Sequence, residues 1–224
     1  MREVRAPRLH KDILFQNNMA SIYDIKPAFQ NLLRPLTRSL ASAGVTANQV
    51  TLAAALLSVG VGVCIAIFPA ARWPLLVLPG FLFVRMALNA IDGMLAREHA
   101  MKSRLGAVLN EIGDVAADTA LYLPLALVPG FSLWLVVVIT ILAIISEMTG
   151  VVAIQIGSSR RYEGPMGKSD RAFVFGLLAL LLGFGVPAGS WLFYVQLLLI
   201  VLLALTILNR ARRALAENPK IGNP

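Results

Sequence analysis

The sequence predicts an all-α integral membrane protein in which six transmembrane helices follow an interfacial amphipathic helix. The first observation is composition: 58% of the 224 residues are hydrophobic and only 14% are charged. A soluble domain would carry about 25% charged residues. The other two observations are apolar runs of membrane-spanning length and basic residues confined to alternate loops. Together they require lipid as the solvent for most of the chain.

The six spans follow from the length of the apolar runs, because a spanning helix requires about 20 mostly apolar residues. They are predicted at 49–70, 74–97, 105–128, 131–156, 171–187 and 189–209. This gives one membrane domain over 46–210, preceded by a cytoplasmic or interfacial segment over 1–45 and followed by a cytoplasmic tail over 211–224. The second and third spans also contain charges, which are costly in a membrane and mark functional sites.

The segment 22–43 has the pattern of an amphipathic helix. Its apolar side chains recur at helical spacing, and Arg34 and Arg38 lie off that stripe. The stripe consists of Phe29, Leu32, Leu33, Leu36 and Leu40. A helix lying in the membrane interface fits this pattern, and so does a connector helix packed on the bundle.

Lys and Arg are concentrated before the first span, after the second and fourth spans, and in the tail. The alternate loops are nearly bare, and the first of them carries only Arg72. The positive-inside rule therefore places both termini and the two basic loops in the cytoplasm. The same distribution explains the net charge of +8 through anionic membrane lipids and requires no nucleic-acid partner.

The charged and small residues of the second and third spans each follow one helical face. The second-span face consists of Arg85, Asn89, Asp92, Gly93 and Ala96, with Arg97 at its edge. The third-span face consists of Gly106, Asn110, Gly113, Asp114, Ala117 and Asp118. A hairpin of the two helices brings both faces together, and the glycines leave space for a close backbone or for a ligand's phosphates.

The two faces form the frame Asn89-x2-Asp92-Gly93-x2-Ala96-Arg97-x8-Gly106-x3-Asn110-x3-Asp114. It resembles the motif of the CDP-alcohol phosphotransferases, Asp-x2-Asp-Gly-x2-Ala-Arg-x8-Gly-x3-Asp-x3-Asp, with every glycine and all spacings kept. The resemblance extends to Asn48 and Thr51 at the head of the first span and to the Gly167-Lys168 pair before the fifth. It covers the chain from about residue 20 to 210 and points to a bacterial branch of the family.

The resemblance implies a transferase of phospholipid biosynthesis in the bacterial inner (cell) membrane, with its active site in the cytoplasm. Such enzymes transfer a phosphatidyl group from CDP-diacylglycerol to an alcohol or sugar-phosphate acceptor, release CMP, use Mg²⁺ or Mn²⁺, and form homodimers. The implied metal ligands are Asn89, Asp92, Asn110 and Asp114. Asp114 would also accept the proton of the acceptor hydroxyl.

Two further sets of residues follow from the resemblance. The donor nucleotide would contact Asn48, Thr51, Gly93, Ala96, Arg97 and Gly106. A phosphate on the acceptor would contact Arg160, Arg161, Lys168 and Arg171. Ordinary positive-inside topology also explains these last four cations.

The chain departs from the family motif at Asn89 and Asn110, where the family has aspartates. A carboxamide offers one neutral oxygen, whereas a carboxylate can bridge two metal ions. We therefore predict a single metal ion, or two that bind weakly, with Glu111 and Asp118 as candidates for compensation. Either asparagine could instead simply hydrogen-bond a neighbouring helix.

Two other functions stay open. A non-catalytic CDP-lipid-binding or regulatory membrane protein would retain the pocket with a degenerate metal site. A small transporter fits less well, because most of the polar residues stay in the cytoplasmic half of the membrane. Deeper in the membrane, we predict that Arg85 forms a buried ion pair with Asp118 or Glu147.

Overall fold

The computed structural model describes residues 22–217, with side chains from residue 27 onward. The helices are α1 (Ile22–Ser42), α2 (Ala47–Ile67), α3 (Trp73–Glu98), α4 (Arg104–Tyr122), α5 (Leu133–Gln155), α6 (Lys168–Gly183) and α7 (Ser190–Ala216). A 3₁₀ segment, Leu123–Leu127, extends α4, and the described residues contain no strand. The outer parts of the two predicted terminal segments, 1–21 and 218–224, lie outside the described residues.

Four of these helices, α2, α3, α5 and α7, are long and apolar enough to cross a membrane. The all-helical membrane class is therefore confirmed, and α2 to α7 lie where the six spans were predicted. Helices α4 and α6 do not meet the same criterion of length and hydropathy. Helix α4 carries Arg104, Glu111, Asp114 and Asp118, and α6 has only 16 residues. The crossing of α4 and α6 therefore stays a prediction.

The bundle is held by the packing of α2 on α3 and α4, α3 on α6, and α5 on α7. One core contact is the stacking of Tyr122 on Phe175, with ring centroids 4.4 Å apart. Helices α2 and α4 approach closely at Gly62, where a Cβ atom would collide with the backbone carbonyl of Ala120. Small residues allow such close contact between membrane helices, and this contact fixes the depth of the polar face of α4 relative to α2.

Local capping sets where the site-bearing helices begin. Thr46 and Gln49 form a capping box at the start of α2. The Ser103 hydroxyl accepts a hydrogen bond of 2.9 Å from the N–H of Gly106 at the start of α4. The carboxylate of Asp170 accepts one of 2.9 Å from the N–H of Gly167 at the start of α6. These caps define where α2, α4 and α6 begin.

Helix α1 packs on α3. Its Leu33 and Leu40 side chains lie against the apolar ends of α2 and α3, which confirms packing on the bundle for this side of the helix. By contrast, Leu32 and Leu36 are 74% and 51% exposed. Exposed leucines beside apolar helices suit a membrane interface, so an interfacial position remains a prediction for this second side.

The basic loops and helix ends lie at one end of the bundle. Asn48 at the start of α2 donates to Ser103 in the loop between α3 and α4, at 3.4 Å. Ser158 in the loop between α5 and α6 donates to Glu217 just after α7, at 2.8 Å. These contacts gather the segments that the positive-inside rule assigns to one side of the membrane.

Candidate active site

An open cavity of about 510 Å³ lies at this end of the bundle, between α3, α4, α5, α6, α7 and the loop between α5 and α6. Its walls are formed by Asn89, Asp92, Gly93, Arg97, Asn110, Asp114, Glu147, Arg160, Tyr162, Gly167, Lys168, Ser169, Asp170 and Arg210. The structure therefore brings the polar faces of α3 and α4 together in one cavity, as the spacing of the motif predicts.

Asp92 is buried, with 5% of its surface exposed. The hydroxyl of Thr51 on α2 donates a hydrogen bond of 2.8 Å to its Oδ2. The same hydroxyl also donates to the carbonyl of Ala47 one turn earlier, at 3.1 Å. Thr51 thus holds Asp92 from the neighbouring helix, and the other carboxylate oxygen has no side-chain partner among the described residues.

Asp114 is more open, with 26% of its side chain exposed. The Asn89 amide donates to its Oδ1 at 3.3 Å, and the Lys168 ammonium contacts the same oxygen. An Nη atom of Arg85 lies 3.7 Å below it. Asn89 therefore supplies a donor where a family aspartate would place a second negative charge, and Lys168 and Arg85 place positive charge beside Asp114.

The two motif glycines keep space for polar neighbours. A Cβ on Gly106 would lie 2.6 Å from Oδ1 of Asn48 and 2.9 Å from the Ser103 hydroxyl. A Cβ on Gly93 would lie 3.1 Å from the guanidinium of Arg97. Gly93 thus lets the exposed Arg97 side chain fold back toward the cavity mouth, where it meets no carboxylate of the described residues.

The remaining predicted donor contacts flank the cavity rather than line it. Ala96 packs against the apolar cluster between α1, α2 and α3. Asn48 and Gly106 lie together at the α2–α4 contact, and Thr51 reaches the cavity only through Asp92.

The four cations predicted for an acceptor phosphate divide into two pairs. Arg160 and Lys168 line the cavity. Arg161 instead pairs with Glu217 and donates to Ser158 at 2.9 Å. Arg171 is only 1% exposed. Neither Arg161 nor Arg171 reaches the cavity wall, because carboxylates distant in the sequence hold both guanidinium groups.

At the cavity floor lies a buried ion cluster, which consists of Arg85, Asp118, Glu147, Arg171 and Arg210. Glu147 and Arg210 also reach the cavity wall. Arg85 donates to Asp118 at 2.6 Å, which confirms the predicted ion pair. Arg171 bridges the two acids, at 2.9 Å from Asp118 and 3.0 Å from Glu147. Arg210 reaches Glu147 at 3.4 Å. Every charge in the cluster therefore has an opposite charge beside it, as buried ions require.

Three residues of the cavity wall were not predicted from the sequence to lie there: Glu147, Tyr162 and Arg210. Arg210 follows the last span, and the positive-inside rule alone accounts for a cation there. The Arg160 guanidinium lies 4.3 Å from the Tyr162 ring centroid and 2.5 Å from Glu111. Burial lowers the pKa of Arg160, but Tyr162 and Glu111 raise it by more, so the net pKa lies above its ordinary value.

The oxygen donors of the cavity suit Mg²⁺ or Mn²⁺. Among residues 22–217 no group of three or more His, Cys, Asp or Glu side chains could hold a metal ion. Mg²⁺ in nucleotide enzymes is commonly held by one or two carboxylates plus substrate phosphates. Asp92 and Asp114, with the amide oxygens of Asn89 and Asn110, therefore fit one ion completed by a pyrophosphate, and they fit two ions poorly.

Comparison with known proteins supports the same family. The family model described as CDP-alcohol phosphatidyltransferase matches residues 44–209. The inner membrane protein YnbA of Escherichia coli (strain K12) is 44% identical over 203 residues, which cover 90% of this chain and 100% of YnbA.

The fold is similar to that of phosphatidylinositol phosphate synthase (PgsA1) from Mycobacterium tuberculosis. The structure of that enzyme with CDP-DAG bound aligns with a TM-score of 0.70 at 20% identity, and covers 85% of this chain and 96% of PgsA1. Its complex with manganese and citrate gives the same TM-score and identity, and covers 85% and 92%. At this identity the likeness establishes the fold alone.

Proposed function

The chain belongs to the CDP-alcohol phosphatidyltransferase family, and we propose that it transfers a phosphatidyl group from CDP-diacylglycerol to an alcohol and releases CMP. The observation that carries this proposal is the convergence of Asp92, Asp114 and Arg97 on one open cavity at the polar end of the bundle. CDP-DAG is bound by the PgsA1 synthase of similar fold, which supports the same donor here.

The donor would enter with its pyrophosphate between α3 and α4. Arg97 supports this placement because its guanidinium is exposed at the cavity mouth and meets no carboxylate of the described residues. Gly93 leaves room for the Arg97 guanidinium beside α3. Arg97 would then neutralise charge on the donor phosphates.

One divalent ion would be held by Asp92 and Asp114, with an amide oxygen of Asn89 or Asn110. Once bound, Mg²⁺ or Mn²⁺ would stabilise negative charge on the phosphoryl oxygens and on the departing CMP. Thr51 fixes the rotamer of Asp92 through its 2.8 Å hydrogen bond, so it would keep the second carboxylate oxygen directed at the ion.

Asp114 would accept the proton of the acceptor hydroxyl. The acceptor oxygen then bonds to the phosphorus that carries the diacylglycerol, and the bond from that phosphorus to the CMP oxygen breaks. Lys168 and Asn89 both contact Oδ1 of Asp114, which leaves Oδ2 to face the ion and the acceptor hydroxyl. Arg160 and Lys168 would line the acceptor side of the cavity.

The single-ion site can be tested by titrating the protein with Mn²⁺ in the presence of CDP-diacylglycerol and following the free ion by electron paramagnetic resonance. We expect one tight ion. The double variant Asn89→Asp/Asn110→Asp restores the family carboxylates and should add a second. Two tight ions in the unmodified protein would contradict the proposal.

The relative YnbA carries the name of an inner membrane protein, which supports the same membrane for this chain. We place the cavity and both termini on the cytoplasmic side, with α4 and α6 crossing as the third and fifth spans. Labelling of single cysteines in the loops 99–103 and 156–167, in cells and in inverted vesicles, tests this orientation.

A homodimer, expected from the family, is tested by light scattering in detergent.

A second candidate, a non-catalytic CDP-lipid-binding protein, is favoured by the two asparagines at motif positions. The two functions separate in one assay. Purified protein is incubated with CDP-diacylglycerol and a panel of alcohols, with Mg²⁺, Mn²⁺ or EDTA, and CMP release is followed. Metal-dependent CMP release with one acceptor supports the enzyme. Donor binding without CMP release from any acceptor would favour the binding protein.

A further inference from the structure

We infer that the acceptor is an alcohol without a phosphate group, because carboxylates already neutralise the cations on the acceptor side of the cavity. The inference rests on the proposed transferase function and narrows its acceptor class. It replaces the expectation that this side of the cavity recognises a sugar phosphate.

The two cations that line the acceptor side are both occupied. The Lys168 ammonium contacts the Asp114 carboxylate. One Nη atom of Arg160 lies 2.5 Å from Glu111 and 3.7 Å from Glu147. Arg160 thus faces two carboxylates, which cancel the positive potential that a phosphate would need.

Arg210, the third cation near this side, already has most of its donors engaged. Its Nη1 donates to the carbonyl of Ser146 at 2.5 Å and lies 3.4 Å from Glu147. Its Nη2 donates to the carbonyl of Tyr162 at 3.3 Å, and its Nε to that of Glu163 at 3.4 Å. The guanidinium therefore anchors the loop between α5 and α6, and only 1% of the residue is exposed.

The charges of the cavity wall balance before any ligand enters. The four carboxylates are Asp92, Asp114, Glu147 and Asp170, and the four cations are Arg97, Arg160, Lys168 and Arg210. A divalent ion and the donor pyrophosphate would add charges that largely cancel each other. A phosphate on the acceptor would bring a further dianion beside Glu111 and Glu147, and like charges at close range disfavour binding.

What the cavity offers instead suits hydroxyl groups. Ser169, Asn89 and Asn110 line it with neutral groups that can donate or accept hydrogen bonds, and Tyr162 adds an aromatic ring to the same cavity. Such groups can bind the hydroxyls of an alcohol without placing a further negative charge beside Glu111 and Glu147.

The test uses the full chain in detergent with CDP-diacylglycerol and two matched acceptor pairs: glycerol with glycerol 3-phosphate, and inositol with inositol 1-phosphate. We expect CMP release to favour the phosphate-free member of a pair by about tenfold or more. The variant Glu111→Gln removes one carboxylate from Arg160, and we expect it to raise the use of the phosphorylated member about tenfold.

The matched control is Glu163→Gln. Glu163 pairs with Arg161 at 3.2 Å in the same loop, but neither residue lines the cavity. This control should leave the preference between paired acceptors unchanged. A wild-type preference for the phosphorylated members would overturn the inference while leaving the transferase function intact.

If no acceptor in the panel turns over, the result counts against the transferase function alone. A binding measurement still tests the inference about the acceptor. With neither donor nor metal ion added, so that only the charges of the cavity wall act, the thermal unfolding midpoint is measured with glycerol 3-phosphate and with glycerol. We expect glycerol 3-phosphate to stabilise Glu111→Gln but not the wild type. Equal responses of the two proteins to glycerol 3-phosphate would contradict the inference.

Discussion

Asp114 and Asp118 lie one turn apart on the same face of α4, yet their surroundings differ. Asp118 is 5% exposed and is paired with Arg85 and Arg171 at 2.6 Å and 2.9 Å. Asp114 keeps 26% of its side chain exposed and opens onto the cavity, where its nearest cation is the side chain of Lys168. Opposite charges thus fully pair Asp118 in the buried ion cluster, whereas Asp114 in the cavity can still bind a ligand.

These different surroundings indicate a structural role for Asp118 and a chemical role for Asp114. Buried ions are tolerated only when opposite charges and hydrogen bonds satisfy them. The buried ion cluster meets that condition and joins α3, α4, α5, α6 and α7 at the cavity floor. In the cavity, by contrast, Asp92 and Asp114 each keep one carboxylate oxygen without a side-chain partner among the described residues, as groups that bind an ion or accept a proton must.

The largest effect on stability is expected from Arg171→Met. The change removes the cation that bridges Asp118 and Glu147 and leaves both acids undercompensated. We expect a loss of about 3–5 kcal/mol in unfolding free energy, which corresponds to roughly 10 °C in the thermal midpoint measured by circular dichroism in detergent. The control Arg97→Met removes an exposed cation and should leave the midpoint nearly unchanged. Equal midpoints for both variants would mean that the buried ion cluster does not hold the bundle.

A smaller effect is expected from Gly106→Ala at the edge of the cavity. The new Cβ would lie 2.6 Å from Oδ1 of Asn48 and 2.9 Å from the Ser103 hydroxyl, so both side chains would have to turn and the cap of α4 by Ser103 would be disturbed. Loss of such a cap costs about 1 kcal/mol. Gly60→Ala in α2 is the control, because a Cβ there meets nothing within 4 Å. We expect the midpoint to fall for the first variant and to hold or rise for the second.

Thr51→Val should act on the metal site and leave the fold largely intact. Loss of the 2.8 Å hydrogen bond frees the rotamer of Asp92. Removing such an outer partner weakens metal binding by about tenfold, which a Mn²⁺ titration would measure. Thr149→Val is the control, since its hydroxyl donates only to the carbonyl of Ile145 within its own helix. A similar loss of affinity in both variants would argue against Asp92 as the ligand.

The smallest effect is expected from Glu98→Gln. The Arg34–Glu98 pair joins α1 to the end of α3 at 3.0 Å, but water reaches both groups. Exposed ion pairs of this kind add little to stability. We expect the thermal midpoint to match that of the wild type, and any residual difference to vanish in high salt. A large loss of stability would instead mean that α1 is held mainly by this pair.

Much of the architecture could be predicted from the sequence because each helix is a local pattern. The predicted span 74–97 corresponds to α3, Trp73–Glu98, and the predicted amphipathic segment 22–43 corresponds to α1, Ile22–Ser42. The periodicity of Asn89, Asp92 and Asp114 also placed them in one cavity. Both kinds of prediction need only helix geometry and the cost of polar groups in lipid.

The pairing of the basic residues could not be predicted in the same way. The sequence placed Arg171 with the cytoplasmic cations, whereas it pairs with Glu147, 24 positions earlier, and with Asp118, 53 positions earlier. Arg160 meets Glu111 across 49 positions. Such partners depend on how whole helices pack and carry no local signal, so the family resemblance and the position of the loop suggested one acceptor site for all four cations.

The most direct test compares Asp114→Asn with Asp118→Asn, which change the same chemistry one turn apart. CMP release from CDP-diacylglycerol and the thermal midpoint are measured for both. Asp114→Asn should lose about 10²- to 10⁴-fold in CMP release and keep its midpoint. Asp118→Asn should lower the midpoint by several degrees because Arg85 and Arg171 lose their shared acid. Retained CMP release in Asp114→Asn, with its midpoint lowered instead, would contradict the account.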